Sequence, residues 1–125
     1  MDIKYKVNDT INANEIIEVF NKVGWNKDPN IIVNAFKNSY YVTAREDDKL
    51  VGFARAISDD FYYTGIYDVV VLPSFQKKGI GYNMMKIIID KFKGQYFFLT
   101  YTEGNRAFYE KCGFADNNNA MWIQK

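Results

Sequence analysis

The chain has 125 residues, 48% hydrophobic and 18% aromatic, with a net charge of +1. That is enough apolar material for one packed domain over residues 1–125, and it gives no electrostatic case for nucleic acid or an anionic membrane surface. Histidine is absent and Cys112 is the one cysteine, which excludes Ser-His and Cys-His nucleophilic pairs, histidine bases, most zinc sites and an internal disulfide. No apolar run reaches the roughly 18 residues of a membrane span. The charged start MDIKYKVND lacks a signal-peptide apolar region. A cytoplasmic protein without a metal is the expectation.

Taken in chain order, Ile3, Tyr5 and Val7 alternate with Lys4 and Lys6, which predicts a half-buried strand over 2–8. Asn12 to Glu15 reads as a capping box. Ile16, Ile17, Phe20 and Val23 then give a helix face that Gly24 ends. Asp28-Pro29 starts a second helix, with Ile31, Ile32, Ala35 and Phe36 as its apolar face. Residues 40–45 and 50–57 form a hairpin about Asp47-Asp48, and 61–72 a long strand with a bulge or bend near Gly65. From Gly79 the period is helical, with Ile80, Met84, Ile87 and Ile88 on one side. Residues 96–102 predict a strand parallel to the preceding one across this helical crossover. A short helix over 106–111 ends at Cys112-Gly113, and 114–124 hold two short extended pieces about the Asn117–Asn119 turn.

The stretch IYDVVVLPSFQKKGIGYNMMKIII therefore feeds a strand through a glycine-containing loop into a helix. The first turn of a helix has unpaired N–H groups and the positive end of the helix dipole. Gly79 and Gly81 lack the Cβ atoms that would hold a ligand off the backbone. Lys77 and Lys78 add positive charge at the rim. A phosphate or pyrophosphate is the natural guest. Two other phosphate motifs fail on residues: no Gly-Lys-Ser/Thr is present, and Met84 stands where a dinucleotide fingerprint needs its third glycine.

With these elements in hand the chain resembles the GNAT-type N-acetyltransferases. Gln76-Lys77-Lys78-Gly79-Ile80-Gly81 matches the family's Gln/Arg-x-x-Gly-x-Gly/Ala signature, and Val69-Val70-Val71-Leu72-Pro73 matches the strand leading into it. Asn105 to Phe114 resembles the second signature, with a shorter gap between the asparagine and Phe108-Tyr109. The resemblance runs nearly the whole length of the chain. It implies the acyl-CoA N-acyltransferase fold: an α/β (α+β) arrangement with a mixed, mostly antiparallel sheet, one splayed parallel strand pair and helices on both faces.

The resemblance implies acetyl-CoA as co-substrate. Its pyrophosphate would sit on the amides of Gln76, Lys77, Lys78, Gly79, Ile80 and Gly81, and its pantetheine arm along Val69, Val70 and Val71. Asn105 would touch the arm, and Tyr109 would act as general acid on the leaving thiolate. An amine must also lose a proton. Asp68 is the first candidate for that base, because a carboxylate inside an apolar strand needs a task or a partner; Tyr67 and Glu103 follow. In the family the helices near the N-terminus shape the acceptor site, which points to Trp25, and Tyr67 offers an aromatic wall for an ammonium. A small-molecule amine is the expected acceptor. A protein amine is the alternative, as is a catalytically weak acyl-CoA sensor or interaction module. Exposed tyrosines offer a face for a homodimer.

Overall fold

The computed structural model describes residues 2–124. Its strands are β1 (Ile3–Val7), β2 (Tyr40–Glu46), β3 (Lys49–Ser58), β4 (Tyr63–Val71) and β5 (Tyr96–Phe98). They lie in one sheet in chain order, antiparallel except for the parallel pair β4–β5. Helices α1 (Ala13–Lys22) and α2 (Pro29–Lys37) cover one face and α3 (Ile80–Lys91) the other; α4 (Arg106–Lys111) follows β5. No helix of the described residues is long and apolar enough to cross a membrane.

Local chemistry accounts for the helix starts. The Asn12 side chain accepts from the Glu15 amide and the Glu15 carboxylate accepts from the Asn12 amide, a complete capping box. Asp28 accepts from the amides of Asn30 and Ile31, with Pro29 at the first helical position. On α1, Ile16, Val19 and Phe20 are buried; on α2, Ile32 and Phe36. Ile31, expected inward, is 68% exposed. One residue is 100° around a helix, so with Ile32 and Phe36 fixed inward its neighbour faces out. Phe53 of β3 receives both helices, with its ring 5.1 Å from that of Phe20 and 5.2 Å from that of Phe36. On the opposite face Met84 of α3 packs over Gly52, whose absent Cβ would lie 3.4 Å from the Met84 methyl.

Three elements depart from the sequence expectation. The β4 irregularity is not at Gly65, where pairing is regular, but lies opposite Ala54: Phe53 pairs with Val70 and Arg55 with Tyr67, so Asp68 and Val69 together face one residue. Gly65 instead gives way to a ring, since a Cβ there would sit 2.6 Å from the Tyr67 hydroxyl. Strand β5 is shorter than predicted, because its ladder stops at Gly65–Phe98. The extended pieces expected after Phe114 form no ladder among the described residues, and Met121 and Trp122 are 96% and 90% exposed.

Arg45 joins β2 to the N-terminal segment. Its Nε donates to Asp9 at 2.9 Å and its Nη1 to Glu15 at 2.7 Å, with all three side chains mostly buried. Burial works to raise the Asp9 pKa, but hydrogen bonds from Arg45 and Thr43 outweigh it and leave it below the ordinary 3.8. For Glu15 the Arg45 hydrogen bond is the largest influence and holds the pKa below 4.5. Carboxylates depressed on folding stabilise the protein above their unfolded pKa, and that contribution disappears as the pH falls through the folded values. The expected result is an unfolding free energy from urea titration that is flat near neutrality and declines below pH 4.5, by on the order of 1 kcal/mol from this cluster. Arg45→Met should flatten that part of the decline; an unchanged slope in the variant would place the acid sensitivity elsewhere.

Candidate active site

Between β4 and α3 the chain makes a single 3-10 turn, Pro73–Phe75, and then a loop in which Lys77 has φ +62° and Gly79 φ +83°. Gly79 is the N-cap of α3 and provides no side-chain cap. The Gln76 amide donates to the Pro73 carbonyl at 3.3 Å, so the open cradle begins one residue later. From Lys77 to Tyr82 no amide has a hydrogen-bond acceptor among the described residues. Six N–H groups thus stand free at the positive end of a 12-residue helix. Lys77 and Lys78 are exposed at the rim.

The two glycines serve different ends. Gly79 supplies the left-handed turn that aims the loop amides. A Cβ on Gly81 would meet the Phe108 ring at 3.1 Å. The packing of α4 against α3 is therefore a second reason for a small residue at 81, one the sequence reading did not contain. Gln76 also does more than its backbone: its Nε2 donates to the Val71 carbonyl at 2.9 Å and ties the loop to the end of β4.

Past Gly65, strand β4 has no ladder partner on its β5 side among the described residues. The Leu72 amide donates to Val51 of β3 at 2.8 Å. Since N–H and C=O directions alternate along a strand, Val70 also faces β3, while Val69 and Val71 face the gap. With the Val71 carbonyl taken by Gln76, the groups left open toward the gap are the Val69 amide and carbonyl and the Val71 amide.

Helix α4 flanks this region. Asn105 begins it but makes no side-chain cap hydrogen bond, so its amide group is uncommitted. Tyr109 is half-buried among Phe108, Phe114 and Tyr101, with ring centroids 4.9, 6.2 and 6.4 Å away. Burial first, and Cys112 second, push its pKa up to about 12. Its hydroxyl has no hydrogen-bond partner among the described residues. Tyr109 lines a cleft of about 420 Å3 with Phe97 and Phe98 of β5, Arg106 and residues 114–118. No β4 residue lines that cleft, and no predicted site residue lines a second groove, of about 410 Å3, between α1 and the end of β4.

Asp68, Tyr67 and Trp25 belong to the α1–α2 side. The Asp68 carboxylate accepts from Arg55 Nε at 2.8 Å, with the two side chains 15% and 14% exposed. It has a partner, which is the second of the two roles the sequence offered it. Tyr67 is flanked by the same guanidinium, 5.4 Å from its ring, and Trp25 by Lys27 Nζ at 4.7 Å. The Tyr67 ring expected to hold an ammonium thus already carries a cation, and so does Trp25, expected to shape the acceptor site. Tyr63 stacks on Tyr96 and Tyr62 meets both edge-on, and Tyr41 donates to the Asp9 carbonyl. Arg55 escaped the sequence reading, although a lone charge within LVGFARAI was as conspicuous as Asp68 within its own strand.

A parallel strand pair that parts beside an uncapped helix start gives an α/β fold in which a run of free amides lies next to an open strand edge. A sequence profile described as Acetyltransferase (GNAT) family matches residues 11–114. The chain belongs to this acetyltransferase family. The uncharacterized N-acetyltransferase ycf52 of Pyropia yezoensis is 42% identical over 86 residues, covering 64% of this chain and 49% of that protein. GCN5-related N-acetyltransferase 3, chloroplastic, of Arabidopsis thaliana is 34% identical over 74% of this chain and 40% of its own length. The chain spans about half the length of the curated relatives it matches. A GNAT-family acetyltransferase structure from Streptococcus pneumoniae TIGR4 superposes with a TM-score of 0.82 at 28% identity, covering 99% of both chains.

Proposed function

We propose that the chain binds acetyl-CoA across the gap and passes its acetyl group to a primary amine of a small molecule. The run of acceptor-free amides from Lys77 to Tyr82, directly beside the open β4 edge, carries this reading. In it, the amides hold the diphosphate, with Lys77 and Lys78 adding attraction from the rim. Val69 and Val71 bond the pantetheine arm as an added strand would, and Asn105 reaches it from α4.

When bound, acetyl-CoA supplies an activated carbonyl and a thiolate leaving group. Over the reaction the amine loses one proton and the sulfur gains one. Tyr109 Oη gives its proton to the departing sulfur and is refilled, through water, by the proton the amine sheds, so the enzyme ends unchanged. A phenol at about 12 donating to a thiol near 8.5 is uphill by about 5 kcal/mol. That fits within the ~16 kcal/mol barrier of a turnover near 10 s−1. On the acceptor side, Trp25 and Tyr67 form the walls. The nearby charges of Lys27 and Arg55 disfavour an ammonium and favour the free amine that attacks. The unpaired Cys112 suits a reducing compartment such as the cytosol.

Thiol release from acetyl-CoA against a panel of small amines and lysine peptides tests this reading. Turnover on small amines is expected. Coenzyme A binding without turnover on any amine would favour the sensor reading, and turnover on peptides alone a protein acceptor.

A further inference from the structure

We infer that Arg55 and Asp68 are a positioning pair that sets which backbone groups of β4 face the gap; this rests on the reading that Val69 and Val71 bond the cofactor arm. The observation is a chain of contacts centred on the bulge. Asp68 has φ +50°, in the left-handed region that L-residues seldom adopt. That conformation is the extra residue of the bulge, the point at which Asp68 and Val69 share Ala54 as their opposite number. The guanidinium of Arg55 holds it there by a charge-assisted hydrogen bond from Nε to Asp68 Oδ2 at 2.8 Å.

Arg55 is itself fixed from two further sides. Its Nη1 donates to Ser39 Oγ at 3.0 Å, and Ser39 Oγ donates to the Ala35 carbonyl of α2 at 2.6 Å. The rings of Tyr67 and Phe36 lie 5.4 and 5.9 Å from its central carbon. One side chain thus ties the last turn of α2 to the bulge of β4.

The consequence follows from the two-residue period of a strand. Shifting a strand by one residue turns every N–H and C=O to the opposite edge. Without the extra residue at 68, the alternation running from Tyr67 would bring Val69 and Val71 round to β3 and leave the gap with Val70. The pair therefore controls the phase of the edge that receives the arm. It has no bearing on the loop amides from Lys77 to Tyr82, which hold the diphosphate. Asp68 acts through the backbone rather than on the amine proton.

The two halves of the cofactor separate these effects. Coenzyme A has diphosphate and arm; ADP has the diphosphate alone. Calorimetry with both ligands on the wild type and on Asp68→Asn, Arg55→Met and the double variant gives a complete cycle. Each single change is expected to weaken coenzyme A about tenfold and ADP less than twofold, with the double variant no worse than the weaker single. Losses that multiply to about a hundredfold in the double variant, unchanged coenzyme A affinity, or equal losses for ADP and coenzyme A would each overturn the inference. Should Arg55→Met fail to fold, the coenzyme A against ADP contrast in Asp68→Asn alone carries the test. A wild type that binds neither ligand defeats the proposed function itself, and the pairing role with it. A wild type that binds both, with variants that follow it, defeats only the pairing role.

Discussion

Tyr109→Phe is expected to lower kcat for acetyl transfer about a hundredfold while leaving KM for acetyl-CoA within about twofold. The phenyl ring keeps the packing against Phe108, Phe114 and Tyr101, so the change removes one hydroxyl and little else. A positioned proton donor contributes about 10²–10⁴ in rate, and the low end suits a donor whose transfer is uphill. The pH dependence has a definite sign. Burial disfavours the charged phenolate and raises the pKa to about 12, so Tyr109 Oη stays protonated across the whole range from pH 6 to 10. The rate should therefore climb with pH as a typical primary amine, titrating near 10, loses its proton. No alkaline limb from Tyr109 should appear below about pH 11. A variant with wild-type kcat, or a wild-type rate that falls between pH 8 and 10, would remove Tyr109 from the chemistry.

Gly79→Val is expected to weaken coenzyme A by about a hundredfold or more. No atom lies within 4 Å of a Cβ built at Gly79, so the effect is one of conformation and not of collision. At φ +83° an L-residue is strained by about 1–2 kcal/mol, and a β-branched one by more. The loop relaxes by turning amides away from the ligand. Two charge-assisted hydrogen bonds lost, at about 1.5–3 kcal/mol each, account for a hundredfold or greater change. Gly79→Asn, a residue that tolerates the left-handed region, should lose much less. Calorimetry alongside a thermal melt separates the two costs. Similar affinities for valine and wild type would mean that this turn does not shape the cradle.

The main architecture could be read from the residues because each signal was local. The Asn12 and Asp28 caps, the turn at Asp47-Asp48, and the change from a strand period to a helical one at Gly79 each depend on a few neighbours. The parallel crossover followed from a strand, a helix and a strand in succession. Tertiary contacts decided what the residues alone could not. Gly65 was the expected bulge site; the bulge falls at Asp68 instead, where the carboxylate meets Arg55, thirteen residues away and on another strand. Gly81 looked like a ligand-facing glycine, and only α4 folding back onto α3 reveals Phe108 as a further reason for its size. Tyr67 looked free to hold a cation, and Trp25 free to line the acceptor site, until Arg55 and Lys27 were found against them. The phase of β4, which separates Val69 and Val71 from Val70, turns on a single inserted residue that no periodicity count could locate.

The most direct measurement is a titration of coenzyme A into isotope-labelled protein, followed through the backbone amide resonances. The six amides from Lys77 to Tyr82 should move first and furthest, with those of Val69 and Val71 next and those on β1 still. Large shifts elsewhere, with these six unmoved at saturation, would contradict the assignment of the α3 loop as the diphosphate site.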